Sequence, residues 1–307
     1  VNIWRDKSMR FSAVGERRHG GSRRAFLLGA AACLAPIAAR AASTVESARE
    51  KIAAIEAREG GRLGVALLDT TSGATLGYRD DERFPMCSTF KLLAAAAALK
   101  RVDDGAERLD RKIAYTTADL LSYAPVAKAH VAEGGMSVGD LCAAAIDWSD
   151  NTAANLILQS IGGPAGFTQF ARSLDDSVTR LDRIEPELNA STPGDERDTT
   201  SPRAMVGDMR AVLTGSALGE SSRRRLESWL INDKVGDKRL RAGLPESWRI
   251  GDKTGTGDYG STNCIAIIRP PDRAPLFAAV YFTGSTASID ARNAVHKEIG
   301  ALIAETF

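Results

Sequence analysis

Histidine is scarce in this 307-residue chain, which carries only His19, His130 and His296. So few leave little material for a zinc site or a Ser-His-Asp triad, and no G-x-S-x-G segment is present to carry a nucleophile elbow. Cysteine is equally sparse, and the spacing of Cys33, Cys87, Cys142 and Cys264 resembles no zinc-binding pattern. Metal hydrolysis is therefore disfavoured, and no metal or cofactor is expected. Long apolar runs are missing too. The stretch Ala25–Ala39 has fifteen residues, short of the ~20 that cross a bilayer. A basic surface is also lacking: from Ala42 onward there are 32 basic against 37 acidic residues, the wrong balance for nucleic-acid binding.

What charge asymmetry exists lies at the N-terminus. Residues 1–24 hold seven Lys/Arg against Asp6 and Glu16, followed by Ala25–Ala39 and then Ala39-Arg40-Ala41. A basic head, a short apolar run and an A-x-A-like site predict a secretory signal over residues 1–41, cleaved near Ala41/Ala42. Ser22-Arg23-Arg24-Ala25-Phe26-Leu27 resembles a twin-arginine export signal. The expected location is the periplasm, with no membrane attachment after cleavage. Cys33 lacks the leucine three residues earlier that lipidation would want. Cleavage would leave three cysteines, an odd number, so at least one thiol is free.

The rest of the chain changes periodicity twice. Ser43–Ala57 reads as a helix, with Val45, Ala48, Ile52 and Ile55 on one face. Leu63–Asp69 and Thr75–Tyr78 read as strands around a Ser72-Gly73 turn. From Ser88 to about Leu230 the pattern is helical, with a capping-box-like Ser137-Val138-Gly139-Asp140 and a helix bracketed by Pro202 and Gly215. Strands return at Trp248–Thr254, Ser261–Arg269 and Leu276–Thr283, and a helix closes the chain over about Ser288–Thr306. This predicts an α/β (α+β) fold. A mostly antiparallel sheet from residues 42–87 and 232–307 is flanked by the terminal helices, with an all-helical domain inserted over 88–231. The crevice between them is the default place for a site.

Three short motifs fall in order along the chain. Ser88-Thr89-Phe90-Lys91 opens a helix, where i to i+3 spacing puts the hydroxyl and the amine on one face. An amine with a lowered pKa can take a serine proton. Ser149-Asp150-Asn151 sits between helical runs, where an N-cap cluster is the plain reading. Lys253-Thr254-Gly255 ends a strand, where the lysine could be an edge gatekeeper. Taken singly, each is ordinary. Together S-x-x-K, S-D-N and K-T-G are the set shared by class A β-lactamases and penicillin-binding proteins. Over Ser43–Phe307 the chain resembles the class A β-lactamase family.

Arg180-Leu181-Asp182-Arg183-Ile184-Glu185-Pro186-Glu187-Leu188-Asn189 discriminates within that set, because it resembles the family's Ω loop, here residues 180–198. Penicillin-binding proteins lack the glutamate, so their acyl-enzymes persist. The resemblance implies hydrolysis of the β-lactam ring of penicillins and cephalosporins, and with it antibiotic resistance. Ser88 would be acylated, and water activated by Glu185 and positioned by Asn189 would free it. The proton acceptor for acylation stays open between Lys91 and Glu185. Ser149 would relay a proton to the lactam nitrogen, and Asn151 would bind the substrate's side-chain amide. Lys253 and Thr254 would hold its carboxylate, and the N–H groups of Ser88 and Thr256 would form an oxyanion hole. Tyr123 matches an aromatic gatepost, a core tyrosine being the alternative. The partners implied are small-molecule β-lactam substrates and inhibitors, on a monomeric protein. A penicillin-binding peptidase and a β-lactam sensor are the competing functions.

The resemblance also sets local expectations. Arg183 and Asp198 should clamp the Ω loop, and Glu185–Pro186 should be cis. Where many relatives carry an Arg, this chain has Thr262, and Arg239 matches the position from which others supply that guanidinium to the substrate carboxylate. Cys264 stands where broad-spectrum relatives often carry Asp, which puts their cephalosporin preference in doubt. The relatives' disulfide partners fall at Ala95 and Gly257 here, so three free thiols and weak carbapenem hydrolysis are expected. Gly255-Thr256-Gly257-Asp258-Tyr259-Gly260 fits G-x-G-x-x-G, but a dinucleotide loop must open a helix and this one precedes a strand.

Overall fold

The strands that the sequence marks as apolar runs lie at the middle of a layered structure, in a computed structural model that describes residues 44–307. The export-signal reading over residues 1–41 lies outside them. Five strands, β1 (Arg62–Asp69), β2 (Thr75–Tyr78), β3 (Arg249–Thr256), β4 (Thr262–Arg269) and β5 (Leu276–Thr283), form one antiparallel sheet in the order β2-β1-β5-β4-β3. Side chains alternate between its faces with period two, and both faces are covered. Val65, Leu67, Ala278, Val280 and Phe282 pack with Ile52, Ile55, Val295 and Ile299 on one side. Phe277, Ala279, Tyr281, Ile265 and Ile267 pack with the helical segment on the other. Burial on both faces is why β4 and β5 read as unbroken apolar runs rather than alternating ones.

The first helix, α1, covers residues 44–59 and the last, α8, covers Ile289–Thr306, started by Ser288, whose hydroxyl accepts from Ala291 N. Between β2 and β3 lie α2 (Phe90–Asp103), α3 (Val138–Asp147), α4 (Asn151–Ser160), α5 (Gly163–Ser173), α6 (Pro202–Leu213) and α7 (Glu220–Ile231). Ser137 caps α3 as expected, accepting from Asp140 N, though its hydroxyl donates onward to the Asp140 carboxylate instead of completing a reciprocal box. Ser201 caps α6, and Pro202 occupies its first turn. Val45–Phe307 closes into one unit, the helical segment sharing its core with the inner face of the sheet. Two small ladders, Phe84–Pro85 with Thr199–Thr200 and Lys112–Ile113 with Met136–Ser137, are too short to leave a periodic signature in the sequence. Among the described residues no helix is long and apolar enough to cross a membrane.

Close backbone approach fixes how α8 seats. A Cβ on Gly300 would lie 2.4 Å from Leu240 O, and one on Gly243 only 1.9 Å from Lys297 O. The two glycines let the short helix Leu240–Gly243 press against α8, which places the preceding Arg239.

A buried acid pair under α6 carries a pH consequence. Asp208 is buried, and its carboxyl is pushed well above the usual range by burial and by neighbouring Asp176. Asp176 is itself engaged, accepting from Val178 N and Thr179 N. The folded state therefore keeps a proton on Asp208 that the unfolded chain releases near its ordinary value, so stability falls as pH rises above about 4. Asp208→Asn removes that liability and keeps a donor. Its Tm should exceed the parent's at pH 7–8, by about 2–4 °C for each kcal/mol recovered, and match it near pH 3–4. A Tm difference that does not grow with pH would show that Asp208 is ionised in the fold.

Candidate active site

Ser88 sits in a 3-10 turn, Cys87–Thr89, immediately ahead of α2, rather than inside the helix proper. The turn is tied down from several sides. Thr89 Oγ1 donates to Met86 O at 2.8 Å, and Asn263 Nδ2 on β4 donates to both Pro85 O and Met86 O. Gly255 completes the fit, since a Cβ there would lie 2.9 Å from Met86 O and 3.2 Å from Ser88 N. The glycine of K-T-G is thus required by the close approach of β3 to the Ser88 turn. That approach brings the end of β3, with Thr256, beside the nucleophile turn.

Lys91, the second residue of α2, has no exposure, and its amine is surrounded by oxygen. Nζ donates to Ser88 Oγ at 2.9 Å, Asn151 Oδ1 at 2.6 Å, Ser149 O at 2.8 Å and Ser149 Oγ at 3.3 Å, and lies 3.0 Å from Glu185 Oε1. Burial pulls its pKa below the usual lysine value, against the opposing charge of Glu185. Ser88 Oγ in turn donates to Glu185 Oε1 at 3.2 Å. Across the cleft Lys253 Nζ donates to Ser149 Oγ and to Thr254 O, each at 3.0 Å. Burial, reinforced by the nearby Lys91 charge, lowers the Lys253 pKa to about 8.

The S-D-N triplet divides its labour. Ser149, at a left-handed φ of 57°, and Asn151 face the lysines, whereas Asp150 is structural. Its carboxylate caps α4 through Ala153 N and also accepts from Val126 N and Ala127 N. Tyr123 stands 46% exposed, which excludes the core alternative; its hydroxyl donates to Trp148 O beside the triplet.

The loop bearing Glu185 is clamped at its neck. Arg183 Nε donates to Asp198 Oδ2 at 2.6 Å, and Asp198 Oδ1 accepts from the N–H groups of Asp182 and Arg183. The Glu185–Pro186 bond is cis, as expected. Asn189 Nδ2 donates to Glu185 Oε2, while Asn189 Oδ1 has no protein donor. Sequence reasoning missed Asn155, whose amide grips the Glu185 backbone twice: Oδ1 accepts from Glu185 N and Nδ2 donates to Glu185 O, both at 2.9 Å. The available signal was its place one helical turn after Asn151 on the same face of α4.

Arg239 requires a correction. It reaches the K-T-G strand, but it is buried and its fork is spent on the protein. Nη1 donates to Gly255 O and Asn263 O, Nη2 to Thr256 Oγ1, and Nε to Asn293 Oδ1. Four of its five N–H donors are occupied, so it cannot grip a carboxylate with two bonds in this conformation. Its bond to Thr256 Oγ1 instead fixes that side chain at the end of β3. The G-x-G-x-x-G stretch runs from β3 through a turn into β4, opening no helix. Cys87, Cys142 and Cys264 are buried and free. Burial pushes the Cys87 thiol up to about 12, leaving it inert beside the nucleophile. Among the described residues no group of His, Cys, Asp or Glu could hold a metal.

A model of the β-lactamase enzyme family matches residues 47–307. The chain belongs to the class A β-lactamases. OXY-2 β-lactamase of Klebsiella oxytoca is 47% identical over 263 residues, 86% of this chain and 89% of that one. CTX-M-8 β-lactamase of Citrobacter amalonaticus is 49% identical over 247 residues, 80% and 84% of the two chains. Among solved structures, an ancestral class A β-lactamase (GNCA) superposes with a TM-score of 0.84 at 59% identity, covering 85% of this chain and all of that one. A putative class A enzyme, PenP of Rhodopseudomonas palustris, gives 0.84 at 54% identity. Class A membership makes the chain a serine hydrolase acting on small molecules.

Within this lactamase site the Asn155 clamp gives a direct test. Asn155→Ala removes both bonds to the Glu185 backbone and leaves that peptide's polar groups unpaired, at about 1–3 kcal/mol. Since 1.4 kcal/mol is tenfold, deacylation should slow by roughly 10–100-fold, with acylation slowed less. Pre-steady-state measurement of the two half-reactions checks this, and equal slowing of both would contradict a role through Glu185.

Proposed function

We propose that this enzyme hydrolyses penicillins and cephalosporins through an acyl-enzyme on Ser88. The observation that carries the reading is the buried cluster in which Glu185 Oε1 lies 3.2 Å from Ser88 Oγ and 3.0 Å from Lys91 Nζ. Ser88 Oγ attacks the lactam carbonyl, and its proton passes to Lys91 or to Glu185, both of which are in hydrogen-bond reach. The N–H groups of Ser88 and Thr256 stabilise the oxyanion. Ser149, bridged to both lysines, relays a proton to the lactam nitrogen as the C–N bond breaks. Water held by Glu185 and Asn189 then adds to the ester, Glu185 taking its proton, and the opened acid leaves with Ser88 restored.

Substrate is oriented by groups already charged or polarised. Lys253 and Thr254 meet its carboxylate, with Arg239 contributing field rather than a bidentate grip. Asn151 binds the side-chain amide, and Tyr123 forms the rim. The biological role is resistance to β-lactam antibiotics. The basic-apolar-small order of residues 1–41 supports export by the twin-arginine route and periplasmic action as a free monomer. With Cys87 unpaired opposite Gly257, carbapenem hydrolysis is weak.

Glu185→Gln tests the reaction. Positioned general bases contribute ~10²–10⁴-fold, so deacylation should fall by at least that much while Lys91 still permits acylation. The variant should accumulate a penicilloyl adduct on Ser88, seen as an intact-protein mass shift, and Ser88→Ala should give none. Parent-rate turnover by Glu185→Gln, or a folded variant that never acylates, would overturn the mechanism.

A further inference from the structure

A second buried polar cluster lies behind Lys253, and the hydrolytic steps do not use it. Asp252 precedes Lys253 in β3 and has no exposure, and Asp233, just after α7, is also buried. Their Oδ2 atoms converge on Gly236, where a Cβ would lie 2.0 Å from Asp252 Oδ2 and 2.4 Å from Asp233 Oδ2. Two carboxylates are therefore close neighbours in a space only glycine leaves open. Donors satisfy them incompletely. Arg241 Nη2 donates to Asp252 Oδ1 at 2.5 Å, and Cys264 Sγ lies 3.7 Å from Asp252 Oδ2. Asp233 Oδ1 accepts from Val235 N, but Asp233 Oδ2 has no donor at all. A buried anionic oxygen without a donor, facing a second carboxylate, is strongly unfavourable, and one proton between the two relieves both problems.

We propose that Asp233 and Asp252 share a single proton at neutral pH, and that this pair is a positioning element whose negative charge keeps Lys253 an ammonium. This rests on Lys253 anchoring the substrate carboxylate as described above. The other groups facing the cluster come from several elements: Arg241 with its neighbour Asp237, Cys264 on β4, Lys91 on α2, and Arg239, which has His296 of α8 beside it. Burial holds the His296 pKa down to about 3 and the Cys264 thiol far up, so neither carries charge near neutrality. Burial pushes Asp233 up to about 7 and lowers Lys253 to about 8, with Asp233 and Asp252 opposing the fall at Lys253. Ionisation of the pair and retention of the Lys253 charge therefore favour each other.

Asp233→Asn separates these effects. Asparagine keeps a donor toward Asp252 and the single negative charge of the neutral-pH state, but cannot supply the second. The alkaline limb of kcat/KM for benzylpenicillin should move down by about one pH unit, roughly a tenfold loss at pH 9, through KM more than kcat. Infrared spectra near pH 6 should also lose one carboxylic-acid C=O band relative to the parent, the Asp208 band remaining as an internal reference. The infrared measurement needs no turnover, so it decides the shared proton independently of the reaction assigned above. An unchanged acid band would overturn the shared proton, and an unmoved alkaline limb would overturn its action on Lys253.

Discussion

A lysine amine with no exposure to water, enclosed by the oxygens of Ser88, Ser149, Asn151 and Glu185, is the interaction on which the rest of this structure turns. Burying an ammonium is costly unless it is paired and hydrogen-bonded. Lys91 meets both conditions only because three separate segments deliver acceptors to one point. The turn before α2 brings Ser88, the S-D-N triplet at the start of α4 brings Ser149 and Asn151, and the Ω loop brings Glu185. Displacing any one leaves a buried charge short of a partner, so the geometry of the site and the stability of the lysine's surroundings are one constraint.

The sheet and its glycines make that convergence possible. β3 approaches the Ser88 turn because Gly255 has no side chain to meet Met86 O, and Asn263 on β4 holds the same turn from behind. The Ω loop buries Leu181 and Leu188 in the core beneath it. Polar bonds add to that packing: at its neck through Arg183 and Asp198, at Glu185 through Asn155, and at its far side through Asp258 N, which donates to Asn189 O. Polar clamps of this kind fix one conformation around Glu185.

Much of this was legible in the sequence because it depends on local rules. The helices and the five main strands follow from periodicity and from caps such as Ser201-Pro202 and Ser288. The site was legible because S-x-x-K, S-D-N, K-T-G and the Glu185 segment each sit at an element boundary, where side chains are free to point into a crevice. What was not legible depends on packing between distant segments. The grip of Asn155 on Glu185, the bonds Asp150 accepts from Val126 N and Ala127 N beyond its cap of α4, and the convergence of Asp233 on Asp252 are contacts whose partners share no periodicity. Arg239 was placed beside the right strand, but its saturation by Gly255, Asn263, Asn293 and Thr256 could not be read from its position alone. Two-residue ladders such as Phe84–Pro85 with Thr199–Thr200 leave no pattern at all.

The titration of Lys91 itself tests the central constraint most directly. Nζ-labelled protein followed by NMR across pH reports that amine alone, with Lys91→Arg identifying its signal. Burial should place its pKa clearly below the ordinary lysine value of about 10.4, and Glu185→Gln should lower it further by removing the opposing charge. A Lys91 amine that titrates like a solvated lysine, or one indifferent to Glu185→Gln, would contradict the coupled, water-excluded cluster on which this account rests.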